Sequence, residues 1–518
     1  MAFQRAIKFF IFARRTPWTI SPRMNANANT YFRGLKYLLA HVNLKGIPRP
    51  FRPRKFIHYQ TQILLILVCA ISLIFFYQSL NYYFFQDDWF VLNWVRTDDF
   101  ASLFQFRTDI IYWRPLSMPV FFFLNYKLFG LNPSGYHFII IIFHLVNSVL
   151  VYHLFRTLKF TQFVSSILSL MYATASFHFV SLSWLSTTSY VIGPTFIFAT
   201  IILFLKNRNL FALFAFLLAV SSSELAFTVI PIALILKKIS RATFKQLLPY
   251  IVIAFIYLVA RFSISRPPVT GEYALSLDFQ IFRTFFWYFV WFFNIPEAFS
   301  TILFFNQLKS SVVALLPFSR YIVLPAILVT IFILAFFYTR QNFRVFIKGV
   351  SLFIAGLMPV IFFPKHVYPM YLVITSLGIL YIIGSILQRI RNKLLIFTFA
   401  ILWIVSSFLT ISFYRNSHWI KNEQAISKAY VDFMKVHFAN PSSNSVFIFK
   451  SANIKFAQRY NFVLVETEDT LKQSLNDQDA IEVIYNDSTL RSFYVNNDNS
   501  ASLLNNGAEI YEVHPREN

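Results

Sequence analysis

The sequence predicts a polytopic α-helical membrane protein. Hydrophobic residues make up 57% of the 518 residues and charged residues only 13%, about half of the charged share that is usual in soluble domains. Several apolar runs approach or exceed the ~18 residues that a transmembrane helix needs. The runs are continuous rather than alternating, which argues against a transmembrane β-barrel.

The net charge of +24 is concentrated in the predicted membrane region. Residues 1–413 contain 36 Lys and Arg against 9 Asp and Glu, whereas residues 414–518 contain 10 against 13. This distribution indicates membrane topology. A nucleic-acid partner is not expected, because it would require a basic groove on a soluble module. The single cysteine, Cys69, cannot form an internal disulfide.

The first sixty residues are predicted to form a basic arm on the cytoplasmic side. Residues 1–60 contain twelve Lys and Arg and no acidic residue. Basic segments of this kind lie near anionic lipid headgroups; a disordered basic tail is the alternative. A cleaved secretory signal is not expected, because no small-residue cleavage site follows an apolar core.

Eleven transmembrane helices are predicted between residues 61 and 413, with the amino terminus inside and the carboxyl terminus outside. Lys and Arg flank the inward ends of these helices, and the inner loops contain no Asp or Glu. The predicted spans are 61–80, 135–155, 161–179, 188–205, 209–222, 225–236, 246–262, 321–338, 349–363, 369–388 and 394–413.

Two further apolar segments are predicted to lie at the outer surface. The segment 116–129 belongs to the first outer loop, 81–134, and is short with two polar residues, which favours an amphipathic helix. The segment 281–304 contains two charged residues and a proline. It is placed in the outer interface because the order of the later basic loops requires it.

Residues 414–518 are predicted to be a small α/β domain on the outer side. Apolar residues recur at helical spacing over 414–440. Short strand-like runs follow, separated by turns rich in Asn, Asp and Ser. These runs are Ser445–Lys450, Phe462–Glu466, Ile481–Tyr485, Ser492–Val495 and Glu509–Val513.

Asp87 and Asp88 are the first acidic residues of the chain and follow the first predicted span. Two adjacent carboxylates at the edge of a bilayer are costly to desolvate and repel each other. Water, a basic partner, a metal ion or a role as general base would offset that cost. The alternative is an interfacial loop that simply solvates both charges.

Several local patterns follow one another along the chain. They are Asp87-Asp88, Tyr112–Leu116, Leu128–His137, Ser183–Ser186, Ser223–Ala226 and His366–Pro369. As an ordered set over about residues 60–440, they resemble the GT-C class of integral-membrane glycosyltransferases, and within it the relatives of the dolichyl-phosphate-mannose–protein mannosyltransferases. One departure is Ser223, which stands where such proteins often carry a lysine before the glutamate.

The resemblance implies a polyprenyl-phosphate-linked sugar as donor and inversion at the anomeric carbon. Transfer to a hydroxyl needs a base for its proton and a cation for the departing phosphate. Asp87 is the predicted base, or orients the acceptor. Asp88 is the second candidate, as a support for Asp87 or as a ligand of a divalent metal ion. Repulsion within the pair would raise one pKa.

Arg114 is the predicted contact of the donor phosphate, because a guanidinium can hold a phosphate with two parallel hydrogen bonds. The alternative is a structural ion pair with an aspartate of the same loop. The aspartates in that loop are Asp98, Asp99 and Asp109. Arg261 and Arg266 are further phosphate candidates, with snorkelling to the interface as the alternative.

Three histidines are candidates for the site. His144 lies within a predicted span and is expected to form a helix–helix hydrogen bond rather than to take part in chemistry. His178 and His366 are predicted at the outer mouth, where they would bind a metal ion together with Asp88, although their spacing carries no ligand signature.

Three other residues complete the set of candidates. Glu224 lies at the predicted membrane rim, where substrate contact and structural pairing are equally compatible with its position. Tyr368 and Tyr371 are candidates for the donor groove, but the ordinary role of interfacial tyrosines is in the aromatic belt.

The sequence therefore predicts a multi-pass membrane glycosyltransferase with its active site on the extracytoplasmic side. Its expected partners are membrane lipids, a polyprenyl-phosphate-linked sugar and an acceptor that is a protein, a glycolipid or a surface polysaccharide. The second hypothesis is a transporter or flippase of a lipid-linked glycan, which usually carries its polar groups near the bilayer midplane. The third is a non-catalytic scaffold that binds partners through residues 414–518.

Overall fold

The computed structural model describes most of the chain from residue 54 onward. The described residues are 54–108, 110, 112–237, 239–264, 271, 273–276, 278–303, 307–451, 467–494 and 509–515. The chain divides into two compact units, residues 1–63 and 64–518. Of the first unit only the beginning of one helix is described, so the predicted basic arm lies almost wholly outside the described residues. Nearly all of the described helices, and every described strand, belong to the second unit.

Helices make up most of the described residues, and short 3₁₀ turns join several of them. The α-helices, numbered in chain order, are α1 Arg54–Phe76, α2 Asp87–Thr97, α3 Pro119–Phe129, α4 Pro133–Thr157, α5 Gln162–Thr174, α6 Phe179–Ser183, α7 Ser189–Leu205, α8 Asn209–Val220, α9 Val229–Leu236, α10 Arg241–Ile264, α11 Gln280–Phe292, α12 Leu308–Leu315, α13 Val323–Tyr338, α14 Phe343–Leu357, α15 Leu372–Arg389, α16 Lys393–Ser417, α17 Trp419–His437, α18 Glu468–Leu475 and α19 Asp479–Tyr485.

Within the described residues, six helical stretches are long and apolar enough to cross a membrane, or eight if each of two bent pairs forms one span. The six are Thr61–Asn81, Pro133–Thr157, Leu185–Leu205, Arg241–Ile264, Pro369–Arg389 and Lys393–His437. The bent pairs are Gln162–Thr174 with Ser176–Ser183 and Leu308–Tyr321 with Val323–Tyr338. These helices are consistent with a polytopic membrane protein.

The predicted count of eleven spans is not confirmed. Each of the eleven predicted segments overlaps a helix. However, α8, α9 and α14 are shorter than the ~17 residues that crossing a bilayer requires. The described part of the segment 281–304, which ends at residue 303, contains most of α11 and a 3₁₀ turn, both shorter than this length, so its placement in the outer interface stays a prediction.

The predicted amphipathic segment 116–129 forms α3, which buries Phe122 and packs on α4. The helix ends at Gly130, whose φ of 57° is readily adopted only by a residue without a Cβ. Asn132 then caps α4, because its side chain accepts a hydrogen bond from the Ser134 N–H. The local sequence thus fixes the reversal between these two helices.

Helices α14 and α15 approach each other closely through glycines. A Cβ added to Gly378 would lie 2.4 Å from the carbonyl oxygen of Gly349 and 2.5 Å from the main-chain nitrogen of Phe353. Small residues allow the backbones of neighbouring helices to come this near. The contacting atoms belong to the main chain of α14, so they cannot move away without moving that helix.

Gly378→Ala is expected to destabilise the fold by roughly 2 kcal/mol, because the added methyl group overpacks the contact. The measurement is the apparent Tm of the purified protein in detergent. Gly384→Ala on the same helix is the matched control, since a Cβ there meets side-chain atoms of Leu168 and Phe160 that can rotate away. Equal losses of Tm in the two variants would contradict this account.

The stretch Lys393–His437 is too long to be a single span. At ~1.5 Å per residue its 45 residues would exceed twice the thickness of a bilayer core. The α-helix is interrupted at His418, and α17 carries charged residues along its length. The apolar span therefore ends with α16, and α17 lies beyond it.

The residues after α17 form a small parallel sheet with helices beside it. Its strands are β1 Val446–Phe449, β2 Arg491–Tyr494 and β3 Ile510–Val513, in the order β2-β1-β3. Three of the predicted strands are therefore found. The prediction of a strand at Ile481–Tyr485 is wrong, because these residues belong to α19. The predicted strand Phe462–Glu466 lies outside the described residues.

Helix α2 is held by the segment that follows α16. Asn93 Nδ2 donates hydrogen bonds to Asp479 at 2.7 Å and to Glu482 at 2.8 Å, both on α19. Trp89 Nε1 donates to Ser427 Oγ on α17 at 2.9 Å. Residues distant in sequence therefore fix the position of the helix that begins with the paired aspartates.

Candidate active site

Two cavities share a wall beside the first turn of α2. The cavity that we call the apolar cavity has a volume of about 310 Å³, and the one that we call the polar cavity has a volume of about 420 Å³. Both lie within the size range of ordinary small-molecule sites. The residues common to both are Tyr112, Arg114, Tyr190, Tyr273 and His366.

The remaining walls of the two cavities differ in chemistry. The apolar cavity is lined mainly by hydrophobic side chains, with Glu224 and Arg261 among them. Its hydrophobic residues include Leu225, Phe227, Leu258, Phe262, Val360 and Phe363. The polar cavity is lined by carboxylates, carboxamides, hydroxyls and two indoles. These residues include Gln86, Asp87, Trp184, Ser186, Thr187, Tyr368, Trp419, Glu423 and Gln473.

Arg114 lies in the wall between the cavities and is oriented by three hydrogen bonds. Its Nε donates to Glu224 Oε2 at 2.7 Å, Nη1 to Ser189 Oγ at 3.1 Å and Nη2 to Tyr190 OH at 3.3 Å. The guanidinium carbon also lies 4.1 Å from the centre of the Tyr112 ring. A guanidinium has five N–H groups, so this network fixes the cation and still leaves donors for an anion.

The predicted ion pair of Arg114 with Asp98 or Asp99 is wrong, because its carboxylate partner is Glu224. Asp98 instead accepts hydrogen bonds within its own loop, and Asp109 lies outside the described residues. Glu224 therefore has a basic partner from another part of the chain, although Ser223 precedes it.

The other phosphate candidates differ in position. Arg261 lines the apolar cavity, so its side chain is near Arg114 at the same site. Arg266 lies outside the described residues. Tyr257 OH donates to Glu224 Oε1 at 3.3 Å, so Glu224 has hydrogen-bond partners at both carboxylate oxygens. Glu224 is therefore structurally paired and also lines the apolar cavity.

Asp87 is the first residue of α2 and faces the polar cavity. Within the described residues, no hydrogen bond or ion pair to its carboxylate is found. Burial raises its pKa above the ordinary value. A partly buried carboxylate that faces a cavity and lacks a protein partner is suited to accept a proton or a hydrogen bond from a ligand.

Asp88 points elsewhere, because successive residues of a helix are about 100° apart around its axis. Its side chain is fully buried. Oδ1 accepts hydrogen bonds from the N–H of Ser186 at 2.7 Å and from Ser186 Oγ at 2.6 Å, and Oδ2 accepts one from the N–H of Phe85 at 3.3 Å. Asp88 thus ties α2 to the beginning of α7 and supports the position of Asp87.

Stability is expected to fall as the pH rises from about 4 to about 7. Burial raises the pKa of Asp88 to about 7 from an ordinary value of 3.8, so in this window the folded protein holds a proton that the unfolded chain has released. Asp88→Asn should remove this pH-dependent contribution to the free energy of unfolding, which is on the order of 4 kcal/mol. The measurement is the apparent Tm of the unchanged protein and of Asp88→Asn across this pH range. Identical dependence of Tm on pH in the two proteins would contradict the prediction.

Glu423 on α17 is a second carboxylate of the polar cavity, and it was not among the residues predicted from the sequence. It accepts a hydrogen bond from Gln86 Nε2, and burial raises its pKa to about 7. A signal was present in the sequence: Glu423 lies three and four residues from Ile420 and Trp419 on the apolar face of α17. A carboxylate on such a face is unusual and indicates a specific role.

Gln86 connects this carboxylate to Asp87. Its φ of 50° and ψ of −132° lie in a region that favours glycine. Its N–H donates to the carbonyl oxygen of Ser474 on α18 at 3.0 Å, and its side chain donates to Glu423. The backbone just before Asp87 is thus held in a strained conformation by α17 and α18.

An aromatic cluster lies at the two cavities and includes Tyr190, Tyr273 and His366 of the shared wall. The ring of His366 lies 4.2 Å from that of Tyr273 and 4.9 Å from that of Tyr368, measured between centroids. Tyr190 OH donates to Tyr371 OH at 3.3 Å. Tyr368 lines the polar cavity and Tyr371 the apolar cavity, so both candidates for the donor groove lie at the site, and His366, which was a candidate metal ligand, lines both cavities. Tyr273 was not among the sequence candidates, since nothing in its local sequence marks it.

His144 and His178 are buried in the helical core and line neither cavity. His144 Nε2 lies 3.0 Å from the carbonyl oxygen of Ala173, which is the expected contact between helices, here α4 and α5. The ring of His178 lies 4.4 Å from that of His144. His178 is thus buried beside His144, and its predicted position at the outer mouth stays a prediction.

The predicted metal site does not fit the described residues. Among them, no group of three or more His, Cys, Asp or Glu side chains is arranged to hold a metal ion. Both oxygens of Asp88 are engaged by protein donors, and His178 lies in the core. The contacts of these two residues therefore do not support the predicted role as metal ligands.

Neither a protein-family model nor a curated protein matches the chain. Among solved structures, the Archaeoglobus fulgidus oligosaccharyltransferase in complex with zinc and sulfate is similar, with a TM-score of 0.41 and 16% sequence identity over 74% of this chain. The chain covers 60% of that structure, which is less than two thirds of its length. Similarity of this degree assigns neither family nor function.

Proposed function

We propose that this protein is a membrane glycosyltransferase that moves a sugar from a polyprenyl-phosphate-linked donor to an acceptor hydroxyl. One observation carries the proposal: the fixed guanidinium of Arg114 separates an apolar cavity from a polar cavity that contains the carboxylate of Asp87. A lipid-linked sugar has the same three parts in the same order, namely an apolar chain, an anionic phosphate and a polar sugar.

The apolar cavity suits the lipid end of such a donor. Hydrophobic side chains of α10 and of the segment after α14 line it, and they would cover the isoprenoid units nearest the phosphate. Arg114 and Arg261 bring positive charge to the same cavity. A phosphate at this boundary would gain charge-assisted hydrogen bonds from the remaining N–H groups of Arg114.

The proposed chemistry uses the two charged groups Asp87 and Arg114, which both line the polar cavity. Asp87 takes the proton from the acceptor hydroxyl, whose oxygen forms a bond to the anomeric carbon. The bond from that carbon to the phosphate oxygen breaks, and its electron pair leaves with polyprenyl phosphate. Arg114 stabilises the negative charge of this leaving group. Attack from the side opposite the phosphate inverts the anomeric carbon.

The distribution of Lys and Arg supports an extracytoplasmic site. With the amino terminus inside, the segment after the first span, which contains Asp87, lies outside together with residues 414–518. The partners in this scheme are membrane lipids, the lipid-linked donor and an acceptor that carries a hydroxyl group.

Transfer can be tested with the full-length protein in nanodiscs that contain polyprenyl-phosphate hexose labelled in the sugar. A membrane extract supplies acceptors, and mannosyl and glucosyl donors are tried in parallel. We expect the label to leave the lipid for a new product while polyprenyl phosphate accumulates. Movement of the intact donor between leaflets without loss of its sugar would overturn the proposal and favour a flippase.

A further inference from the structure

The residues that line the polar cavity come from several parts of the chain, two of which have distinct neighbours. One group forms the shared wall with Arg114. The other is formed by residues that follow the last apolar helix, namely Trp419 and Glu423 on α17 and Gln473 on α18. The apolar cavity has no lining residue from this later part of the described chain. Among the cavity-lining residues, Trp419, Glu423 and Gln473 therefore face only a ligand that enters the polar cavity.

Two indoles form an apolar surface within this otherwise polar cavity. The rings of Trp184 and Trp419 lie edge to face, with centroids 5.4 Å apart. The ring of Phe85 stacks on Trp184 at 5.7 Å, with 28° between the planes. This packing holds the indoles rigidly, and both contribute to the cavity wall. Such a surface suits a ligand that has a flat apolar face.

The groups around the indoles are hydrogen-bonding side chains. Asp87 and Glu423 supply carboxylate oxygens, which accept hydrogen bonds, and Gln473 supplies a carboxamide, which both donates and accepts. Arg114 is the only Lys or Arg among the described residues that line this cavity, and it lies in the shared wall where the donor phosphate is proposed to bind. A ligand with many hydroxyl groups and no negative charge satisfies both kinds of wall.

We infer that the polar cavity binds a saccharide as the acceptor, with a sugar ring against Trp184 and Trp419 and its hydroxyl groups on Glu423 and Gln473. This inference rests on the proposed glycosyl transfer and names its acceptor. The C–H face of a pyranose packs on an indole, and its hydroxyl rim meets the carboxylate and carboxamide. The acceptor hydroxyl gives its proton to Asp87 as its oxygen bonds to the anomeric carbon of the donor, and polyprenyl phosphate leaves.

Binding is tested first, because it does not depend on turnover. Saturation-transfer NMR on the full-length protein in nanodiscs compares neutral methyl glycosides of mannose and glucose disaccharides with a hexapeptide that contains Ser and Thr. We expect saturation on the C–H protons of a disaccharide and none on the peptide. Gln473→Trp should abolish the saccharide signal, because the larger side chain fills the cavity from an exposed position on α18.

Transfer is then measured with the same acceptors and the labelled donor. Gln473→Ala should raise the KM for the saccharide about tenfold without changing kcat, as expected for one lost hydrogen bond. Lys472→Ala is the matched control, since Lys472 is exposed on the same helix and does not line the cavity; it should leave both constants unchanged.

The outcomes separate the inference from the proposed function. Transfer to the peptide, with no binding or extension of any saccharide, would overturn the inference and leave the glycosyltransferase in place. Absence of sugar loss from the donor with every acceptor would overturn the proposed function and this inference with it. If Gln473→Ala and Gln473→Trp both extend the saccharide as fast as the unchanged protein does, the inference about the polar cavity is overturned as well.

Discussion

Asp87→Asn is expected to lower the rate of sugar transfer about 10³-fold, because the amide cannot take the proton of the acceptor hydroxyl. The apparent Tm should stay close to that of the unchanged protein, since the Asp87 side chain has no protein partner among the described residues. The measurement is the initial rate at saturating donor, with sugar release followed by the label.

The control for Asp87→Asn is Asp432→Asn. Asp432 is exposed and forms an ion pair with Lys428 one helical turn away, so its loss should leave the rate unchanged. Burial raises the pKa of Asp87, and the rate of the unchanged protein should therefore decline as the pH falls through a value above the ordinary range of carboxylic acids. A rate in Asp87→Asn within about tenfold of the original would remove Asp87 from the chemistry.

Arg114→Gln is expected to have the second-largest effect, a loss of about 10²-fold in kcat/KM for the donor. The variant loses the cation beside the phosphate, and it also leaves Glu224 without its partner. Stability should fall by roughly 2 kcal/mol through the lost charge-assisted hydrogen bond. Arg114→Lys keeps the charge but not the planar group, so it should recover only part of the donor affinity.

A double variant distinguishes the two consequences of losing Arg114. Arg114→Gln combined with Glu224→Gln should recover most of the lost stability, because no carboxylate is left unpaired, but it should not recover donor turnover. Arg389→Gln is the matched control, since Arg389 donates to the main-chain carbonyl groups of Thr339 and Arg340 and lies at neither cavity. Full activity in the double variant would show that Arg114 serves only to pair with Glu224.

The sequence located the helices well, because a long apolar run has few ways to satisfy its main-chain groups other than a helix. The prediction of secondary structure was wrong where the periodic pattern covers only a few residues. Ile481–Tyr485 alternates like a strand for only five residues, which a short helix such as α19 also satisfies. Three of the other strands were found, since β-branched and aromatic residues between Asn- and Ser-rich turns are a stronger pattern.

Part of the site was also within reach of the sequence. Charge at a membrane edge makes the Asp87-Asp88 pair a candidate, and the motif Tyr112–Leu116 with the phosphate-binding geometry of a guanidinium does so for Arg114. The division of roles between the two aspartates was not, because it depends on which side of α2 each faces. The pairing of Arg114 with Glu224 joins distant segments of chain, and a local pattern cannot reveal such a contact.

The bond from the Gln86 N–H to the Ser474 carbonyl has a consequence for biosynthesis. A ribosome delivers α2 to the membrane long before it has made α18. Until α17 and α18 have been made and have docked, neither the Glu423 side chain nor the Ser474 carbonyl group holds Gln86 in its unfavourable backbone conformation. The backbone just before α2 therefore reaches its final conformation only after every helix up to α18 has been synthesised.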